Sequence, residues 1–265
     1  MLTAKTVKTV LEESSDPERA KHLRGYFKTG AGGYGENDIF IGVHVPKMRA
    51  LARKEYKNIP LDEIKILIVS PIHEHRQTAL FFMTEKYGAA CRKAIKGNGK
   101  MSPENQKETM REKKEIVTLY LENLAYVNNW DLTDASASYI LGEWFLETEP
   151  ETLGGKTLKH LSESGHLWEQ RICVMTTHAF IRQGVFDPTL RLCEHFLPAT
   201  HDLIHKCTGW MLREIGKRDE SVLVRFLEEH AGEMPRTMLR YSIEKLDASQ
   251  KEKYLNVKKR RDVTL

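Results

Sequence analysis

Four seven-residue segments, each opening on a basic residue and continuing as an apolar helix, recur along this chain and constrain its fold more than any other feature. They are Arg76–Phe82, Arg171–Thr177, Lys206–Leu212 and Arg240–Leu246. Arg171 to Lys206 is 35 positions and Lys206 to Arg240 is 34; counting back 37 from Arg171 gives Asp134, which opens an equivalent segment with the charge reversed. The step from Arg76 to Asp134 is 58, so an insertion is expected between them, around residues 97–111. Periods of this length signal stacked helix pairs, because one pair cannot bury its own apolar face and its neighbours supply the core. The second helices of all pairs would then line one concave surface.

The local patterns agree. Leu61, Ile64, Leu67 and Ile68 follow the spacing of one helical face. Alternating apolar and polar stretches are nearly absent; the one short candidate, Ile39 to Val45, lies beside a glycine-rich block and reads equally as loop. Breakers stand at Gly30–Gly35, Gly97–Pro103, Gly154–Gly155, Gly184 and Gly216, with Pro103 placed to open a helix at its first turn. Glu104 to Glu115 reads as a solvated helix surface. The expected fold is all-α, a HEAT-like helical-repeat solenoid in a single domain over residues 1–265, ending in a basic tail from about residue 256 (Lys258 to Arg261).

If the alignment holds, Arg76, Asp134, Arg171, Lys206 and Arg240 share one groove. Four cations in a row suit a phosphate backbone, whose counterions they would release; charges at fixed repeat positions also serve as ion pairs between repeats. The excess of charge is small, 41 Lys and Arg against 37 Asp and Glu, so placement matters more than total. Asp134 is the odd member. A carboxylate facing a polyanion suits stabilising positive charge at a sugar and guiding water, as in glycoside cleavage; an Asp134–Arg171 ion pair is the plainer alternative. Trp130 lies one helical turn before Asp134 and Trp210 one turn after Lys206, placed to stack on bases or sugars or to pack the repeats.

Other classes fit poorly. The glycine block lacks the strand that a dinucleotide-binding loop requires. His73, Glu74 and His75 are adjacent rather than at a metal-binding helical spacing; His201 and His205 have that spacing, but His201 falls in a turn and a third ligand is missing. No metal or cofactor is expected. The four cysteines form no CxxC pair and read as reduced core residues. With no leader pattern over Met1–Glu12 and no apolar run near ~20 residues, a soluble cytoplasmic protein is expected.

Long blocks, in order, carry a family resemblance: Tyr34–Pro46, His73–Leu80, Asn128–Asp134, Leu167–Arg171, His205–Arg218 and Met234–Lys245. The chain resembles the AlkD-like family of DNA alkylation-repair proteins. The resemblance implies a C-shaped solenoid clasping duplex DNA in a basic concave groove. It also implies excision of cationic N3- and N7-alkylated purines, such as 3-methyladenine and 7-methylguanine, without a base-flipping pocket. By motif match Asp134 looks like the catalytic carboxylate, Trp130 and Trp210 like the aromatic contacts to the lesion-bearing nucleotide, and Arg171 like the active-site arginine. Arg76, Lys206, Arg213, Lys217, Arg236, Arg240 and Lys28 are the expected DNA contacts. Where the family pattern has Arg and Ala, this chain has Gln170 and Cys173. No lysine is placed as a Schiff-base nucleophile, so a monofunctional glycosylase acting as a monomer is expected. The alternative is a non-catalytic repeat protein that binds damaged or distorted DNA.

Overall fold

The computed structural model describes residues 1–96 and 102–257. Among them the chain forms sixteen α-helices and no strand, so the expected all-α class holds. Ile39, in the candidate strand, makes only an isolated parallel bridge to Ile72; the segment is loop. The break expected at Gly97 falls partly outside the described residues, as does the basic stretch Lys258 to Arg261. No helix among the described residues is long and apolar enough to cross a membrane.

Residue proximity divides the chain into two compact units, Met1–Trp144 and Phe145–Leu265. The first contains α1 (Ala4–Glu12), α2 (Pro17–Tyr26), α3 (Val45–Glu55), α4 (Leu61–Ile68), α5 (His73–Lys96), α6 (Pro103–Glu122) and α7 (Trp130–Ala137). A π-helical turn at Ser138–Gly142 follows, and α8 (Glu143–Thr148) contains the boundary. The second unit holds α9 (Gly155–Glu163), α10 (Leu167–Thr176), α11 (His178–Arg182), α12 (Asp187–His195), α13 (Asp202–Gly216), α14 (Glu220–His230), α15 (Arg236–Ser242) and α16 (Ala248–Leu255).

Local chemistry sets these boundaries. Asp16 caps α2 through the Arg19 amide, with Pro17 at the first helical position. Ser102 caps α6 and Pro103 opens it, as expected. His201 does sit before its helix, accepting from the Leu203 amide to cap α13. α6 and the segment before it supply the extra length between Arg76 and Asp134.

The helix starts keep the repeat spacing along the chain. α7, α10, α13 and α15 begin at 130, 167, 202 and 236, which reproduces the 37, 35 and 34 steps, and Asp134, Arg171, Lys206 and Arg240 are each the fifth residue of their helix. In the second unit α10 packs on α13, and α13 on α15. Gly209 makes the latter approach possible. A Cβ there would come within 2.5 Å of the Met238 carbonyl oxygen and 2.7 Å of the Tyr241 Cβ. Gly209→Ala should therefore push α15 off α13 and cost about 1–3 kcal/mol. A urea denaturation midpoint unchanged from wild type would contradict this packing account.

Candidate active site

In the first unit, the loop between α2 and α3 and the start of α5 build a platform under α7. Glu74, on α5, accepts from the amides of Ile41 (3.1 Å) and Gly42 (2.7 Å). Gly42 has φ +85° and lies so close to α2 that a Cβ would fall 2.0 Å from the Asp16 carbonyl oxygen. This pinning seats Asp38 and Phe40 against α5. Phe40 then stacks on Phe27 (4.9 Å between centroids) and on the His73 ring (4.4 Å).

Below α7 runs a buried polar network. His73 is 1% exposed, with Nδ1 2.8 Å from Asp38 and Nε2 2.9 Å from Asp131. Burial alone would drive the ring towards neutrality, yet Asp131 and Asp38 raise its pKa from 6.5 to about 9. The same burial would raise Asp38, but His73 and Arg76 hold its carboxyl below the usual range. Asn129 donates to Asp38 (3.1 Å), Gln77 to Asp131 (2.7 Å), and Arg76 to Asn128 (3.2 Å). The Asn128–Asp134 motif is thereby bound from beneath through Asn128, Asn129 and Asp131, which leaves Trp130 and Asp134 to be presented by the helix.

His73 is thus an imidazolium at neutral pH. Because its folded pKa is the higher one, its stabilisation is complete below pH 6.5 and is lost as pH rises through about 9, on the order of 3 kcal/mol. An NMR titration of the His73 ring should give a midpoint near 9. A midpoint at or below the ordinary histidine value would contradict the two-carboxylate clamp.

Trp130 and Asp134 are both half-buried and sit one turn apart on α7. Trp130 stacks on Phe27 (5.3 Å, 21° between planes) and meets Tyr26 edge-on at 6.0 Å. Thr133 donates to Asp134 Oδ1 at 3.0 Å. Both residues line a cavity of about 400 Å³ whose wall also includes Tyr26, Phe40, Gln77 and Asp131. The cavity needs the loop carrying Phe40, which has no part in the repeat pattern.

Two of the residues expected to contact phosphate are buried. Arg76 is 3% exposed. Its nitrogens donate to the carbonyls of Tyr126, Ser70 and Pro71 and to Asp38 and Asn128. That guanidinium is held within the network. Arg171 is 4% exposed and donates to the Leu203 carbonyl at 2.6 Å, tying α10 to the start of α13.

The second unit places its remaining cations differently. Arg240 and Arg236 are exposed, and Arg236 donates to the Leu255 carbonyl. Lys206 is half-buried and pairs with Asp202 at 2.7 Å. Lys217 is exposed and pairs with Glu214 at 2.7 Å, while Arg213 pairs with Glu244, an ion pair reaching beyond its own helix. Trp210 donates from Nε1 to Glu214 (3.0 Å) and faces His178 at 6.2 Å. In the first unit Lys28 is exposed, with Nζ 5.7 Å from the Tyr34 ring. Sequence reasoning missed Asp38, His73, Asp131 and Glu214. Asp131 stood inside the motif, and Tyr26, Phe27 and Phe40 flanked the glycine block as the available signal.

The comparisons agree with this architecture. A family model for DNA alkylation repair enzymes matches residues 7–246. No curated protein matches the chain. A solved structure of a predicted DNA alkylation repair enzyme from Enterococcus faecalis is similar in fold, with a TM-score of 0.64 at 18% identity over 89% of this chain and 98% of that one.

Proposed function

The chain belongs to the family of DNA alkylation repair enzymes, and from that premise we propose that it is a monofunctional DNA glycosylase that excises cationic N3- and N7-alkylated purines from duplex DNA. The observation that carries this reading is the pairing of Trp130 with Asp134, one turn apart, both lining one cavity and on a helix anchored from below.

An alkylated purine already carries the positive charge that makes it a leaving group. The C1′–N bond breaks with its electron pair going to the base, which departs neutral. The sugar is left as an oxocarbenium ion. In the proposed mechanism the Asp134 carboxylate stabilises that cation and orients the water that adds to C1′, taking up its proton. Trp130, rigidly stacked on Phe27, holds the nucleotide. Trp210 is the proposed aromatic contact of the second unit. Lys28, Lys206, Lys217, Arg236 and Arg240 are the proposed phosphate contacts, since each reaches solvent. Arg171 is proposed to act by placing α10 and α13 rather than by touching phosphate.

A duplex with a single 7-methylguanine tests the proposal. Incubation should leave a strand that breaks only after alkali, and binding should weaken steeply as salt rises. Strand breaks without alkali, or a borohydride-trapped adduct, would overturn the monofunctional assignment. A bound duplex with no alkali-labile site would leave a damage-binding protein without catalysis.

A further inference from the structure

On α13 an acidic residue stands between two residues proposed to touch DNA. Trp210, Glu214 and Lys217 follow the i, i+4, i+7 spacing of one helical face, with Lys217 at the C-terminal cap. One oxygen of Glu214, Oε1, accepts from the indole Nε1 of Trp210 at 3.0 Å and from the ammonium of Lys217 at 2.7 Å. The Glu214 side chain is 15% exposed and that of Lys217 43%, so the cluster is anchored at its acidic end. Arg213 also approaches Glu214, at 3.7 Å, but its guanidinium pairs with Glu244.

The two proposed aromatic contacts are held by different means. Trp130 is held by ring packing, stacked on Phe27 and edge-on to Tyr26. Trp210 has one ring neighbour among the described residues, His178 of α11, tilted by 42° at 6.2 Å. A tilted contact at that distance does not by itself set the rotation of the indole. The hydrogen bond to Glu214 is the directional contact that fixes its edge. Charge strengthens that bond. Burial alone would raise the Glu214 pKa, but the hydrogen bonds from Lys217 and Trp210 hold it below the ordinary value, so the indole meets an ionised acceptor. A plain surface pair of Lys217 with Glu214 would not enlist the indole.

We propose that Glu214 is a positioning residue: through Oε1 it fixes the edge of the Trp210 indole for contact with the nucleotide and holds the Lys217 ammonium beside it. Tied to one atom, ring and cation reach one nucleotide together, the ring at its sugar and the ammonium at its phosphate. The proposal rests on the glycosylase reading for the part that Trp210 plays.

Two variants separate the indole bond from the charge. Glu214→Gln keeps an oxygen for the indole and removes the charge, while Glu214→Leu removes both and keeps a good helix former. Trp210→Phe identifies the indole resonance by NMR. The Trp210 indole N–H should exchange with solvent about tenfold faster in Glu214→Leu than in wild type, and near the wild-type rate in Glu214→Gln. A 7-methylguanine duplex should move that resonance as one sharp line in wild type and leave it broadened in Glu214→Leu. Single-turnover base release at saturating protein should slow about tenfold in Glu214→Leu and return to within about threefold of wild type in Glu214→Gln. Loss of a carboxylate beside phosphate contacts favours duplex binding, so Kd should hold or tighten while the rate falls, a split that a folding defect would not give. Melting temperatures of both variants should match wild type. Indole exchange at the wild-type rate in Glu214→Leu, unchanged release by that variant, or a Glu214→Gln variant as slow as Glu214→Leu would each overturn the proposal, as would a fall in melting temperature that tracks the loss of rate. A wild type that releases no base would contradict the glycosylase reading alone, because indole exchange and the response to duplex need no cleavage and still decide the role of Glu214.

Discussion

Arg76→Ala should destabilise the first unit by about 3–5 kcal/mol, the cost of breaking a buried ion pair from one side. The substitution strands the Asp38 carboxylate, whose side chain is 3% exposed, with a clamped histidine as its remaining charge partner. It also leaves the carbonyls of Ser70, Pro71 and Tyr126 without the donor they share. Lysine would not rescue it, because one ammonium cannot span acceptors that a planar guanidinium reaches in several directions. Asp38→Ala combined with Arg76→Ala should cost less than the sum of the two single changes, since the partners share one network. Urea denaturation at pH 7 measures all three. A loss below about 1 kcal/mol for Arg76→Ala, typical of an exposed pair, would contradict the network account.

Arg76 also shows where sequence reasoning stops. It has the residue type and nearly the helical position of Arg240, and periodicity treats the two alike. What separates them is tertiary. Asp38 arrives from a loop 38 positions upstream, and Tyr126 and Asn128 from a turn about 50 positions downstream. Hydrophobic period carries no information about such partners. The helices themselves were legible because their period comes from stacking, which leaves the same signature in every repeat. The cavity was not legible, because it needs the Phe40 loop laid on α5 by Glu74 and Gly42, a contact outside the repeat. Trp130 and Asp134 were legible as a pair because one helical turn links them.

The larger functional effect belongs to Asp134. Asp134→Asn keeps the shape of the side chain and an oxygen for the Thr133 hydroxyl, while it removes the charge and turns one acceptor into a donor. If the carboxylate stabilises the developing sugar cation, the rate of base release should fall about 10²–10³-fold, the range found when one pre-organised electrostatic contact is lost. Duplex affinity should hold or rise slightly, because one negative charge has left the surface proposed to meet phosphates. The melting temperature should barely move. A fall in stability alongside activity would instead make Asp134 a structural residue of α7.

The measurement that tests the central claim most directly is single-turnover release of free 7-methylguanine from a duplex, quantified by mass spectrometry for wild type and Asp134→Asn. The account predicts release by wild type and a loss of at least a hundredfold in the variant at saturating protein. Equal release by the two proteins would contradict the role given to Asp134, and no release by a wild type that binds the duplex would contradict the glycosylase itself.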